Sequence, residues 1–138
     1  MFQPSSFDFV LSIIALQHVP SKRLIWFYLK EFLRVTRPEG LVVFQLPSHI
    51  PVRARVQMRR RVWHVLRALG FSGASLFQRG LTPMSMRAIE EGEVRKVLTA
   101  HGGNVVRIKR DEWTGHGNED RTYFVTPTIT HRVAAENA

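Results

Sequence analysis

The most constraining feature of this chain is two short apolar runs separated by one amphipathic helix. Phe7 to Ile14 (FDFVLSII) and Leu41 to Leu46 (LVVFQL) are rich in β-branched and aromatic residues and carry little charge. Runs of this length and composition read as strands buried on both faces. Between them, Ser21 is a good N-cap. From Lys22 to Val35, Ile25, Tyr28, Leu29 and Phe32 recur on one face, with Arg23, Lys30 and Arg34 opposite. Arg37-Pro38-Glu39-Gly40 supplies the stop. Strand, helix, strand at this spacing is a βαβ unit, whose strands pair in parallel. Asp8 reads as a cap for the loop before the first strand.

The second half of the chain supplies two more strands. Glu90 to His101 reads as a short helix with Val94, Val97 and Leu98 inward. Its acids lie early and its bases later, as the helix dipole favours. Gly102-Gly103 ends it. Asn104 to Lys109 and Arg121 to Thr126 read as strands, joined by a polar hairpin loop from Asp111 to Asp120. His131 to Ala138 reads as a frayed tail.

Between the two halves lies a basic block. No Asp or Glu occurs from Gly40 to Ile89, while Arg53, Arg55, Arg59, Arg60, Arg61, Arg67, Arg79 and Arg87 all fall there, in a chain of net charge +9. Val52 to Leu69 has helical periodicity. Arg53, Arg60 and Arg67 are expected on the solvent side, and Val62, Leu66 and Leu69 against the body or a partner. Gly70 to Gly80 is Gly/Ser-rich and reads as a mobile loop. Such a block is either a solvated face or a surface for an anionic ligand. Trp63 among the arginines adds nucleic-acid stacking to the alternatives.

Composition excludes several classes. The chain has no cysteine, so disulfide scaffolds and thiolate metal sites are excluded. None of its six histidines has a ligand spacing, so no metal site is expected. No apolar stretch is long enough to span a bilayer, and Phe9 to Leu16 has no basic region before it. The expectation is a cytoplasmic chain of 138 residues forming one domain (1–138): a core over 7–127, a basic lid-like insertion over 50–89 and a flexible tail over 128–138.

The order of elements and three local sequences resemble the class I S-adenosylmethionine-dependent methyltransferases from their fourth strand onward. FDFVLSIIALQHVP resembles the fourth-strand motif, in which an aromatic-Asp pair opens the strand and a Leu-x-His-hydrophobic step follows. LKEFLRVTRPEGLVVFQLP resembles the next helix and fifth strand, with Glu39 in place of the first glycine of the turn. AHGGNVVRI followed by YFVT resembles the closing hairpin. The resemblance covers roughly Phe7 to Pro127. It implies an α/β fold: a partial Rossmann-like methyltransferase sheet, a parallel βαβ unit plus a C-terminal antiparallel hairpin whose last strand slots inward. The first three strands are absent from this sequence. The family's Gly-x-Gly-x-Gly loop and ribose-binding acid are likewise absent, so a truncated or split domain is expected.

The resemblance also implies site residues. Ligands of open α/β sheets bind outside the carboxyl ends of the strands. Ser12, Ile13, Leu16 and Gln17 are expected beside the cofactor, S-adenosylmethionine. His18 is the candidate catalytic residue, a general base on a hydroxyl or amine acceptor. Gln45, Ser48 and His49 are candidates for the acceptor pocket, with Arg53 and Arg60 of the lid holding an anionic acceptor. The partners implied are a small-molecule acceptor and, through strand 7–14, a second copy or a complementary half-domain. The rival reading is a non-enzymatic methyltransferase fold that binds nucleic acid or an anionic membrane through the basic helix.

Overall fold

The computed structural model describes residues 2–51, 56–84, 86–111 and 119–128. Its elements run β1 (Phe7–Ser12), α1 (Lys22–Val35), β2 (Thr36–His49), α2 (Met58–Ala68), α3 (Gly73–Gln78), α4 (Glu91–Ala100), β3 (Gly103–Asp111) and β4 (Glu119–Pro127), with one 3-10 turn at Leu16–His18.

The four strands make one sheet in the order β1-β2-β4-β3. β1 pairs with β2 in parallel, and β4 is antiparallel to both β2 and β3. The last strand of the chain therefore lies inside the sheet, as the resemblance implies. Register puts Val42, Phe44 and Leu46 of β2 opposite Val125, Tyr123 and Arg121 of β4. This face is covered by Ile25, Leu29 and Leu33 of α1 and by Val94 and Leu98 of α4, which close the core with Leu16 and Ile89. The Phe44 and Tyr123 rings stack at 4.8 Å, nearly parallel.

Local chemistry sets the bounds. Ser21 Oγ accepts from the Leu24 N–H at 3.2 Å and starts α1. Thr36 Oγ1 donates to the Phe32 carbonyl at 2.7 Å as the helix ends. β2 is longer at both ends than the Leu41–Leu46 run. It opens at Thr36, opposite Phe7, and next pairs Leu41 with Phe9. Arg37-Pro38-Glu39-Gly40 is thus a bulge within the strand. Gly40 is required there: a Cβ would stand 2.7 Å from the Asp8 carbonyl oxygen of β1.

Several sequence expectations are corrected. β1 is not buried on both faces. It ends at Ser12 rather than Ile14, none of its residues is fully buried, and Phe9 and Leu11 are more than half exposed. Among the described residues it has a strand on one side only. Asp8 caps no loop; it is in the strand and pairs with Arg37 at 2.6 Å. Gly70 to Gly80 is not all loop. Ser72 accepts from the Ser75 N–H at 3.1 Å and starts α3, whose Leu76 is fully buried. A serine cap and one buried leucine outweigh the composition of this segment.

The basic helix differs most. Within the described residues it starts at Met58, after Gln57 in a left-handed conformation (φ 50°). It buries no residue. Leu69 does not pack on the body: it is 70% exposed. Arg60 and Arg67 are exposed as expected. Arg53 and Arg55, the segment 112–118 of the hairpin loop, and the tail beyond Thr128 lie outside the described residues.

Candidate functional site

The carboxyl ends of β1 and β2 lie side by side, as parallel pairing requires. Just past β1 the backbone is strained. Ile14 has φ +65°, a conformation that β-branched residues rarely adopt. The Ala15 N–H donates to the Ile13 carbonyl at 2.8 Å and closes a tight turn around it. Strain of this kind persists where the surroundings hold it, and it concentrates at functional sites.

The 3-10 turn that follows divides three candidates between core and site. The Leu16 side chain is in the hydrophobic core. Gln17 is also buried, and its Oε1 meets no hydrogen-bond partner among the described residues. Its Nε2 lies 3.2 Å from His18 Nε2. The amide nitrogen donates in this contact when the imidazole proton is on Nδ1. Buried polar atoms are nearly always paired, so an orphan acceptor at a strand end points to a ligand or a water.

At the end of β2, Gln45 repeats the pattern. It is buried and its Oε1 is unpartnered among the described residues. It faces a cleft of about 210 Å³ on the open side of the sheet, shared with Ile13, Val43, Lys109, Asp111, Thr122 and Phe124. Thr122 Oγ1 donates to Asp111 Oδ2, and Lys109 Nζ lies 2.9 Å from Asp111 Oδ1. Ser48 Oγ donates to the Glu119 carbonyl at 3.1 Å, and His49 is exposed.

The segment before α4 ties the two strand ends together. The Arg87 N–H donates to the Gln17 carbonyl at 2.9 Å, and the Ile89 N–H to the Pro47 carbonyl at 2.8 Å. Arg87 Nη2 donates to the Pro20 carbonyl at 2.9 Å. Arg87 Nε is buried without a partner among the described residues. A donor and an acceptor, Arg87 Nε and Gln17 Oε1, are thus both unpaired on residues joined by one backbone bond.

The structure brings Ile13 and Gln45 to one cleft and Gln17 and His18 into one contact. Arg60 is placed apart from the cleft-lining residues: its Nε donates to the Pro83 carbonyl at 3.1 Å and its Nη1 to Gln57 Oε1 at 3.3 Å. Sequence reasoning did not place Arg87, Lys109, Asp111 or Thr122 beside these candidates. Only the antiparallel register of β3 and β4 sets Lys109 opposite Thr122, and no local pattern announces it. Among the described residues no group of His, Asp and Glu is arranged to hold a metal ion, and no helix is long and apolar enough to cross a membrane.

Comparison with known proteins defines the class. Residues 1–44, spanning β1, α1 and the start of β2, match a family model described as a methyltransferase domain. No curated protein sequence matches the chain. Solved structures match over nearly all of it. The 1,6-didemethyltoxoflavin-N1-methyltransferase of Burkholderia thailandensis, solved with 1,6-didemethyltoxoflavin and S-adenosylhomocysteine, is 16% identical, with a TM-score of 0.59 over 93% of this chain and 47% of its own. A SAM-dependent methyltransferase of Methanosarcina mazei is 18% identical, with a TM-score of 0.59 over 93% of this chain and 62% of its own. The magnesium protoporphyrin IX methyltransferase of Synechocystis PCC 6803, solved with S-adenosylhomocysteine, is 14% identical, with a TM-score of 0.54 over 90% of this chain and 46% of its own. The chain has the fold of part of a class I S-adenosylmethionine-dependent methyltransferase domain. It spans about half the length of the structures it matches.

The residues present fit S-adenosylmethionine as one wall only. The strained turn at Ile14 and the orphan Gln17 Oε1 are suited to a ligand bearing N–H or O–H donors. Among the described residues no glycine-rich loop leads from a strand into a helix.

Proposed function

We propose that this chain is the acceptor-side half of an S-adenosylmethionine-dependent methyltransferase, transferring methyl to a small-molecule acceptor once a complementary half supplies the cofactor cradle. The observation that carries this reading is the sheet order β1-β2-β4-β3, in which the final strand lies between its two predecessors. The cofactor, when bound, supplies an electrophilic methyl on a sulfonium. The chain's own residues would orient the acceptor and manage its proton. Ser12, Ile13, the backbone at Leu16, and Gln17 form the cofactor-side wall. His18, with its Nδ1–H tautomer held by Gln17, takes the proton of a hydroxyl or amine acceptor after rotating Nε2 off the amide. Gln45, Ser48 and His49 line the acceptor side, where the Gln45 Oε1 accepts from the acceptor. Arg53 and Arg60 belong to the insertion, whose positive charge favours the approach of an anionic acceptor rather than contact in the cleft.

In this reading the free edge of β1 takes a strand of the complementary half. Phe9 and Leu11 are exposed beside it, and an apolar cleft of about 430 Å³ between β1 and α1 is lined by Phe2, Phe7, Phe27 and Tyr28. An unpaired strand with apolar flanks is a ready template for pairing. The chain acts in the cytoplasm.

The test is calorimetric titration of S-adenosylmethionine into two proteins: the chain alone, and the chain joined to a methyltransferase N-terminal half that carries a glycine-rich loop. No saturable heat for the first and micromolar binding for the second is the expected pair. Micromolar binding by the chain alone overturns the split-cradle reading. No binding by the joined protein, if folded, overturns the methyltransferase assignment.

A further inference from the structure

The helix α2 is turned inside out. Met58, Val62, Val65 and Leu69 recur at i, i+4, i+7 and i+11, a single stripe on a helix. In a helix laid on a protein core this stripe faces inward. Here all four are exposed, Val62 at 39%, Met58 and Val65 at 59% and Leu69 at 70%. The contacts with the body come from other sides. Gln57 Nε2 donates to the Met86 carbonyl at 3.2 Å, and Arg60 Nε to the Pro83 carbonyl at 3.1 Å. Trp63 and Leu66 are the most covered side chains among the described residues of the helix. On a helical projection Arg60 lies nearly opposite the stripe, while Arg59 and Arg61 lie on its two flanks.

The charge pattern identifies the occupant. The stripe is rimmed by arginines on both sides, and no Asp or Glu occurs from Gly40 to Ile89. A second copy of the chain would bring the same positive rim against itself. A nucleic acid would meet the arginines but offers nothing apolar to four aliphatic side chains. A bilayer with anionic headgroups satisfies both features. The stripe enters the acyl boundary while the flanking guanidinium groups reach back to phosphates. Exposed Phe71 and Phe77, just beyond the helix and on α3, add large apolar side chains to the same segment.

We infer that α2 docks this protein in the plane of an anionic membrane surface, with Met58, Val62, Val65 and Leu69 inserted and Arg59 and Arg61 on headgroup phosphates. The inference goes beyond methyl transfer and stands whether or not the chain binds a cofactor.

The test is co-sedimentation of the full chain with vesicles of phosphatidylcholine alone and of phosphatidylcholine with phosphatidylglycerol, at low and high salt. The chain is expected to pellet with the anionic vesicles and to stay in the supernatant with the neutral ones. The double variant Val65→Asp/Leu69→Asp, which changes only exposed side chains and so keeps its circular dichroism, is expected to lose binding by roughly tenfold or more even at low salt. Wild-type-like binding of that variant would show attraction by charge alone and overturn the insertion. Absence of vesicle binding, with tight salt-sensitive binding of duplex DNA, would give the surface to nucleic acid. Absence of vesicle binding, with a dimer in light scattering that the double variant abolishes, would give it to a second copy.

Discussion

Replacing Gly40 by alanine tests how β1 is seated on β2, and through that seating the geometry of the site. The new Cβ would stand 2.6 Å from Thr36 Cγ2 and 2.7 Å from the Asp8 carbonyl oxygen. Ordinary contact begins near 3.4 Å. The methyl of Thr36 is a side-chain atom, but the Asp8 carbonyl is backbone of the neighbouring strand and has to retreat by roughly 0.7 Å. Overpacking of this kind costs about 1–3 kcal/mol. Loss of glycine's freedom in the unfolded chain returns about 0.4–1 kcal/mol. The net expectation is a loss of about 1–2 kcal/mol, or roughly 3–8 °C in Tm for a domain of this size. Gly92→Ala is the internal control. Gly92 is in α4, and its Cβ would meet nothing closer than Glu90 Oε1 at 4.0 Å. It should stabilise by about 0.5–1 kcal/mol. Urea titrations of the parent and both variants give the comparison. A Gly40→Ala protein as stable as the parent, beside a stabilised Gly92→Ala protein, would refute the close approach of the bulge to β1.

Two further predictions concern buried polar groups. Tyr123 is fully buried on Phe44, its hydroxyl has no partner among the described residues, and burial pushes its pKa well above the usual tyrosine value. Tyr123→Phe should leave Tm unchanged or raise it, since an unsatisfied hydroxyl is removed with the ring kept; a fall of several degrees would mean that the hydroxyl is bonded. The Arg95 guanidinium, aided by Arg121, holds the Glu91 carboxyl below its ordinary range. A depressed folded value contributes stability at pH above the ordinary carboxylate range and loses it as pH falls through the folded value. Glu91→Gln should therefore flatten the acid limb of a Tm-against-pH profile, and an unchanged limb would show that Glu91 is not linked to folding.

What the sequence discloses and what it hides divide along physical lines. Strands β2, β3 and β4 and helices α1 and α4 are legible because each couples a clear period to a stop signal, such as Ser21 before α1 and Gly102-Gly103 before β3. The inward position of β4 came from the family resemblance; no local period encodes it. The bulge at 37–40 was legible as a stop but not as strand, because the pairing of Thr36 with Phe7 is set by the neighbouring strand. The facing of α2 is only partly legible. Its period identifies an apolar stripe but not which way the stripe faces, and that is decided by Gln57 and Arg60 bonding to carbonyls of the 83–86 segment. The candidate site is legible only in its strand-end members. Gln17, His18 and Gln45 follow from their position at strand ends, whereas Arg87 and the Lys109–Asp111–Thr122 group arise from contacts across the chain.

The central claim is that the closing strand of this chain lies between the two before it. Nuclear Overhauser contacts in a labelled sample measure this directly. The account predicts cross-strand contacts from β4 to both neighbours at once: Val125 to Val42 and Thr122 to Gln45 on one side, and Tyr123 to Ile108 and Thr122 to Lys109 on the other. Contacts from β3 to β2, with none from β4 to β2, would contradict it.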